Sequence, residues 1–144
     1  MSGSFENLYE SIRNSCQNCS IIKQDEHEVQ AEGLFCFERD FSGFKGHFPG
    51  MPILPAMVQI AAVRCLAELL LLCEVHPIRY KKTKFRGVVR PEERISIHLR
   101  MLRNEQDPNV WSFEFSLKNE LGEVLATGQG ELAEKEVSVT SSAI

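Results

Sequence analysis

The residue best suited to proton chemistry is His47, which lies in a segment rich in glycine and proline, residues 40–55. An imidazole exchanges protons near neutral pH, so a histidine held in a loop can serve as a general acid or base. Three glycines and three prolines in this segment indicate a loop of defined shape. Taken alone, a histidine in such a loop is more often structural than catalytic.

Two cysteines, Cys16 and Cys19, form a CxxC motif, a pattern that can bind zinc or cycle between thiol and disulfide. No second pair stands at zinc-ligand spacing, and the total of five cysteines is odd. The N-terminal segment also lacks the basic and apolar regions of a signal peptide. We therefore expect free thiols in a reducing cytoplasm, with no metal and no cofactor.

Charge is distributed unevenly along the 144 residues. The formal net charge of -4 argues against a dedicated nucleic-acid-binding protein, since such proteins usually carry a basic excess. Residues 79–103 nevertheless hold nine of the 16 lysines and arginines and only two acidic residues. A solvated strand face is the default explanation of this basic strip, and an acidic partner is the functional one.

The hydrophobic pattern predicts the elements that must position these side chains. The segment from Ser4 to about Asn14 suits a short helix, and residues 56–73 suit a long apolar helix that begins after Pro55 and has ended by His76-Pro77. Alternating residues predict strands at 29–38, 78–85, 95–102, 110–118 and 123–134. We expect one domain, 1–144, with its core at about 20–134 and a frayed tail at 135–144.

The apolar run at residues 53–73 is long enough to raise the question of a membrane span. Gln59, Arg64 and Glu68 interrupt it, and no basic flank orients it. We therefore expect a core helix covered by strands and no membrane insertion.

The residues after Gly46 resemble a known family signature. His47 to Pro55, HFPGMPILP, is similar to the HFPGxPIxP signature of the beta-hydroxyacyl-acyl carrier protein dehydratases. Downstream, KFRGVVRPEE at 84–93 is similar to the family's KFRxPVxPGD strand and turn, so the resemblance covers roughly 28–134. The LPAMVQ sequence at 54–59 resembles the LPGVxQ branch, which is linked to aryl polyene-type dehydratases. The resemblance implies an α+β hotdog fold, in which an antiparallel sheet wraps one long central helix.

The resemblance also implies roles for individual residues. Dehydration of a 3-hydroxyacyl thioester needs a base for the C2 proton, an acid for the leaving hydroxyl and a donor to the carbonyl oxygen. By analogy His47 is the catalytic base, and the free N–H groups at the start of the helix hold the carbonyl oxygen. The substrate-binding residues that the resemblance implies are Phe48, Gly50, Pro55, Ala56, Gln59, Ala61 and Arg64.

The sequence departs from the family at two of these positions. The family's acid, a Glu or Asp six residues after the last proline of the signature, is replaced by Ala61, which cannot donate a proton. Arg64 stays protonated and is a poor acid, while Glu68 lies about 10 Å further along the helix. Ala56 stands where the family has glycine. A dehydratase remains the main interpretation; an acyl thioesterase and a noncatalytic acyl-thioester-binding homologue are the alternatives.

The resemblance finally implies partners. It predicts binding of an acyl carrier protein through its phosphopantetheine thioester, or of a coenzyme A thioester. The predicted docking residues for the carrier protein are Arg79, Lys81, Lys82, Lys84 and Arg86. Because a lone hotdog sheet has an open edge, we expect a homodimer or a higher homo-oligomer, with sites that combine the loop histidine of one chain and the helix of the other.

Overall fold

The computed structural model describes residues 4–44 and 50–135 and contains two α-helices and six strands. A 3-10 turn, Ser42–Phe44, precedes the undescribed internal residues. In chain order the elements are α1 Ser4–Asn14, β1 Cys16–Gln24, β2 Glu28–Cys36, α2 Ala56–Leu71, β3 Val75–Phe85, β4 Arg94–Arg103, β5 Val110–Asn119 and β6 Val124–Glu134.

The six strands form one antiparallel sheet in the order β1-β2-β4-β5-β6-β3. Alternate side chains of β4 and β5 point into the core, because successive residues of a strand face opposite sides of the sheet. The inward-facing residues of these two strands are Ile95, Ile97, Leu99, Met101, Trp111, Phe113, Phe115 and Leu117. The predicted α+β arrangement, one long helix covered by an antiparallel sheet, is confirmed.

Helix α2 lies against the inner face of this sheet. Its buried apolar residues include Val58, Val63 and Leu66, and all three belong to the main hydrophobic cluster. A Cβ on Gly33 of β2 would come within 2.9 Å of the Leu66 side chain, so the small residue helps the helix to approach the sheet. Close packing on the sheet therefore fixes the position of α2, whose start carries the predicted site.

The sequence interpretation missed β1. Its segment, CQNCSIIKQ, does not alternate, and eight of its nine residues are exposed. The strand pairs with β2 at the edge of the sheet, so backbone hydrogen bonds define it rather than a buried face. A search for amphipathic periodicity cannot detect a strand of this kind.

The end of the long helix was also predicted inaccurately. Helix α2 ends at Leu71, not near residue 73, and Leu72 closes it in the left-handed conformation with its N–H donating to the Glu68 carbonyl at 2.9 Å. His76 and Pro77 lie inside β3 rather than at a helix end. Proline is tolerated there because β3 is an edge strand, where a missing N–H costs no internal hydrogen bond.

Lys135, the first residue of the predicted frayed tail, is described and forms hydrogen bonds. The backbone N–H of Lys135 donates to the Glu74 carbonyl at 2.8 Å, and its Nζ donates to the Glu74 carboxylate at 3.0 Å. The rest of that tail, residues 136–144, lies outside the described residues.

Candidate functional site

The loop that carries the signature is described only in part. His47 and Phe48 lie outside the described residues. At Gly50 the backbone has φ of 86°, in the left-handed region that favours glycine, and no atom lies within 4 Å of the position that a Cβ would take. Conformation, not crowding, therefore requires glycine at this turn, which leads from the signature histidine towards α2.

The start of α2 presents uncapped N–H groups. Pro55 occupies the N-cap position with φ -62° and ψ 150°, and no side chain caps the helix. The Pro55 carbonyl accepts hydrogen bonds from Val58 and Gln59, so the N–H groups of Ala56 and Met57 precede the helical ladder. Both residues are exposed. The arrangement suits a carbonyl oxygen that gains negative charge.

Hydrogen bonds hold this helix start in place from two sides. The Leu54 N–H donates to the Val89 carbonyl at 2.8 Å, and Nε2 of Gln59 donates to the Leu54 carbonyl at 3.3 Å. Gln59 is only 3% exposed, and its Oε1 has no hydrogen-bond partner within the described residues. Leaving a buried acceptor unpaired costs about 1–3 kcal/mol, so this atom is a candidate contact for an incoming donor.

Further along α2, Glu68 gathers the side chains of Tyr9, Arg13 and Arg64 into a group that we call the Glu68 cluster. The Tyr9 hydroxyl donates to Oε1 of Glu68, and the Val75 N–H donates to Oε2 at 2.9 Å. Arg13 and Arg64 approach the carboxylate at 3.6 Å and 3.7 Å. Glu68 is buried, so these four partners compensate its desolvation.

The Glu68 cluster gives Arg64 a structural environment. Its guanidinium lies over the Tyr9 ring, 5.0 Å from the centroid, a cation–π contact between α2 and α1. Burial and the Glu68 carboxylate raise the pKa of Tyr9 well above its usual value. Ala61, one turn before Arg64, is half-buried and carries no polar group. The structure thus places the Arg64 charge next to the position where the family has its acid.

The cysteines behave as packing residues or exposed thiols. All five are free, and Cys65 is fully buried on α2. Burial raises the pKa of the Cys65 thiol to about 11, which disfavours the reactive thiolate. Among residues 4–44 and 50–135, no three histidine, cysteine or acidic side chains are grouped so as to hold a metal ion.

The basic strip lies mainly on the outer side of the edge strand β3. Arg79, Lys81 and Lys84 pair across to Glu131, Gln129 and Thr127, which alternate with the inward-facing residues of β6. The five predicted docking residues Arg79, Lys81, Lys82, Lys84 and Arg86 are all exposed. Arg79 forms an ion pair with Glu131 at 2.9 Å. The strip and α2 are thus on opposite sides of the sheet.

Sequence reasoning did not single out Tyr80, which lies in the middle of this strip but points inward. It is opposite Gly130, and its ring packs edge-on against Phe113 with centroids 5.9 Å apart and an interplanar angle of 76°. Burial raises the Tyr80 pKa, and the nearby positive charge of Arg64 opposes that shift. Side chains of a regular strand alternate between its two faces, so Tyr80 could have been separated in the sequence from the outward-facing lysines. The bulge between Lys81 and Lys84 interrupts this alternation.

Helices long and apolar enough to cross a membrane are not found in the parts of the chain that the structure describes.

Comparison with family models and curated proteins gives a consistent result. The model described as ApeI-like, ApeI dehydratase, matches residues 22–129. Among curated proteins, a 3-hydroxyacyl-[acyl-carrier-protein] dehydratase FabZ of Rickettsia canadensis is 32% identical over 58% of this chain and 62% of its own length. The FabZ of Rickettsia bellii is 33% identical over 52% of this chain and 56% of its own length. The chain therefore spans about three fifths of the length of these relatives.

Solved structures support the fold. The ApeI:P dehydratase heterocomplex of Xenorhabdus doucetiae aligns with a TM-score of 0.59 and 22% identity, over 83% of this chain and 96% of that one. A hypothetical thioesterase with coenzyme A from Streptococcus pneumoniae aligns with a TM-score of 0.60 and 7% identity, over 92% and 97%. These likenesses confirm the hotdog architecture, which accommodates several chemistries.

Proposed function

The chain belongs to the ApeI-like dehydratase family, and on that basis we propose that it removes water from 3-hydroxyacyl thioesters in fatty acid or polyene-type lipid biosynthesis. The observation that carries this proposal is the exposed, uncapped start of α2 at Ala56, six residues after the Gly50 turn. A developing oxyanion needs such preorganised donors in a fixed place. The hydrogen bonds of Leu54 to Val89 and of Gln59 to Leu54 supply that fixation.

In the proposed reaction the thioester carbonyl accepts hydrogen bonds from the N–H groups of Ala56 and Met57. Polarisation by these donors and by the helix dipole acidifies the proton on C2, which His47 removes. The bond between C3 and the hydroxyl oxygen then breaks, and a proton must reach the departing oxygen. Ala61 cannot supply it, so the proposal needs a different donor.

The test is an assay of purified protein with a 3-hydroxyacyl carrier protein, read by mass spectrometry. With wild-type protein the acyl substrate should lose the mass of one water, and in His47→Ala the rate of this loss should fall at least about 10²-fold. Asn104→Ala, in an exposed turn away from α2, is the matched control and should keep the rate. No water loss from the wild type would refute the dehydratase.

Two alternatives are separated by the same assay. Ala61 favours a noncatalytic acyl-binding protein, which would bind the thioester without turnover and gain activity in Ala61→Glu. A thioesterase would hydrolyse the thioester to a carboxylic acid and the free thiol of the carrier, and the acyl chain would keep its hydroxyl group.

We infer that an acidic acyl carrier protein, or coenzyme A, presents the substrate and that the basic strip on β3 docks the carrier. The exposed lysines Lys81, Lys82 and Lys84 support this role, because positive charges at the edge of an interface speed its encounter with an acidic partner. Charge reversal in Lys81→Glu/Lys84→Glu should raise KM for the carrier-bound substrate about tenfold and leave a pantetheine-bound substrate unaffected. Lys118→Glu, an exposed lysine on β5, is the control. Equal effects on both substrates would exclude docking at this strip.

We propose a cytoplasmic homodimer at least, formed along β3. Nine of the 11 residues of this strand are exposed, from His76 to Phe85 with an interruption only at Thr83, and Ile78 and Phe85 are exposed apolar residues. A mixed dimer with a second, carboxylate-bearing hotdog chain is the other assembly that Ala61 favours. Light scattering of the purified chain distinguishes them, because a monomer that dimerises only with an added partner would contradict the homodimer.

A further inference from the structure

We propose that a cavity on the outer face of the sheet binds the phosphate group of a small polar molecule. The cavity, which we call the outer cavity, has a volume of about 300 Å³ and is formed by β4, β5, β6 and the bulge of β3. The polar side chains that line it are Lys82, His98, Glu114, Ser116, Thr127 and Gln129. The outer cavity and α2 are on opposite sides of the sheet, so this inference does not depend on the proposed dehydratase.

Strand register brings the centre of the outer cavity together. His98 of β4 lies directly opposite Ser116 of β5, and Ser116 lies directly opposite Thr127 of β6. All three alternate with buried core residues and therefore share the outer face. Side chains that face each other across an antiparallel pair have Cβ atoms about 4.5–5.5 Å apart. An imidazole and two hydroxyls thus form one row across three strands.

The side chains of this row are half-buried, and within the described part of the chain none of them forms a hydrogen bond. The neighbouring row differs. Glu28 accepts a hydrogen bond from Arg100 at 2.6 Å, and Arg100 also donates to Glu114 at 3.5 Å. The carboxylate of the outer cavity is therefore already paired with a cation, and the groups left without a partner there can donate hydrogen bonds.

A bulge in β3 adds a positive charge to this row of donors. Between Lys81 and Lys84, strand β3 advances three residues while its partner β6 advances two. Lys82, inside the bulge, has φ of 53°, in the left-handed region that is unfavourable for a residue with a Cβ. Its side chain lines the outer cavity and forms no ion pair with a described residue. Bulges can re-aim a side chain at a functional site, and this strained residue directs a lysine at the row.

The chemistry of the lining identifies the ligand. A lysine with an imidazole, two hydroxyls and an amide matches an anion rich in acceptor oxygens, and a phosphate group is such an anion. The volume of about 300 Å³ lies at the lower limit of small-molecule sites, so the cavity has room for the body that carries the phosphate. Hydroxyls and an amide also suit the hydroxyl groups of that body. The ligand class is therefore a phosphate monoester of a small polyol.

The test is a titration of the purified chain followed by amide ¹H–¹⁵N NMR signals. The probes are glycerol 3-phosphate and inorganic phosphate, and the blanks are glycerol and sodium chloride at equal ionic strength. Both probes should cause saturable shifts at Ser116, Thr127 and Gln129, with tighter binding of glycerol 3-phosphate, and the blanks should cause none.

Two lysine variants separate a site from general charge attraction. Lys82→Gln should weaken binding of glycerol 3-phosphate about tenfold or more, because it removes a charged donor. Lys84→Gln removes the same charge from the same strand, but Lys84 does not line the outer cavity, so binding should weaken less than about threefold.

Two further variants separate binding from folding. Thr127→Val keeps the shape of the side chain and should weaken binding about threefold to tenfold through the lost hydroxyl. Lys82→Gly removes the charge together with the strained Cβ, so it should weaken binding as Lys82→Gln does while the Tm stays the same or rises.

Four results would overturn the inference. They are the absence of saturable shifts with either probe, unchanged binding in Lys82→Gln, and equal weakening in Lys82→Gln and Lys84→Gln, which would indicate diffuse attraction to the basic strip. In the fourth, an acidic carrier protein shifts these signals and neither probe does, which would make the outer cavity part of the docking surface. Binding is measured without turnover, so failure of the dehydratase assay leaves this inference standing.

Discussion

The two ends of α2 treat their polar groups in opposite ways. At its start, the N–H groups of Ala56 and Met57 are uncapped and Oε1 of Gln59 is buried without a partner. At its end, Glu68 has four partners and Leu72 closes the helix. Nε of Arg64 also lacks a hydrogen bond among the described residues, but it lies 3.7 Å from the Glu68 carboxylate and is compensated by that charge. Buried polar groups are normally satisfied, so the uncompensated Oε1 of Gln59 makes the start of α2 the end suited to receive a ligand. The end at Glu68 and Leu72, which we call the closed end, holds the fold together. The start at Ala56 and Met57 is called the open end.

The largest loss of stability should come from removing the Glu68 carboxylate at the closed end of α2. Glu68→Ala removes the acceptor for Tyr9 and for the Val75 N–H, and it should lower the free energy of unfolding by about 3 kcal/mol. Urea denaturation measures the loss. Glu10→Ala, an exposed glutamate of α1, is the control and should stay within about 0.5 kcal/mol of the wild type. Similar values for both variants would remove the contrast between the two ends.

The matching change at the open end should affect function more than stability. Gln59→Leu removes an acceptor that has no partner, together with a weak hydrogen bond to Leu54, so its unfolding free energy should stay within about 1 kcal/mol of the wild type. The dehydratase kcat/KM should fall about tenfold if the amide contacts bound thioester. Gln129→Leu on the outer face of β6 is the control. A stability loss above about 2 kcal/mol with unchanged activity would make Gln59 a structural residue.

How far each end could be predicted from the sequence follows from the same contrast. The signature places the start of α2 because glycine and proline fix local conformation, as at Gly50 and Pro55. The Glu68 cluster joins residues 59 positions apart, Tyr9 and Glu68, through the packing of α1 on α2. Only tertiary structure brings such residues together, so periodicity showed an acidic interruption in an apolar helix and not its partners.

The same limit applies to β3. Its basic residues are plain in the sequence, but the bulge between Lys81 and Lys84 breaks the alternation that would separate outward lysines from the inward Tyr80. The missed strand β1 shows the complementary case, in which an edge strand forms with almost no buried face. Loop and helix signals are local and were predicted, whereas the faces of edge strands depend on pairing.

A smaller effect tests the closed end through pH. Because the pKa of Tyr9 is raised in the folded protein, its contribution to stability is complete below pH of about 10 and is lost as pH rises further, when the unfolded chain ionises first. Tyr9→Phe should cost about 1 kcal/mol at pH 7 through the lost hydrogen bond and should show a shallower decline of stability above pH of about 10. Urea unfolding between pH of about 8 and 11 measures both slopes. Tyr80, whose pKa is also raised by burial, is present in both proteins, so the difference between their slopes reports on Tyr9. Parallel slopes would mean that Tyr9 does not titrate differently in the two states.

The smallest effect concerns the residue that ends the helix. Leu72 has φ of 57°, in the left-handed region, and its side chain is 89% exposed, so it incurs backbone strain without gaining packing. Leu72→Gly should raise the free energy of unfolding by about 0.5–1 kcal/mol, because glycine adopts this conformation without a Cβ clash. Leu121→Gly, an exposed turn residue at 85%, is the matched control and should give no gain. A loss of stability in Leu72→Gly would show that the exposed leucine is covered in the assembled protein, and the closed end of α2 would then also be a contact surface.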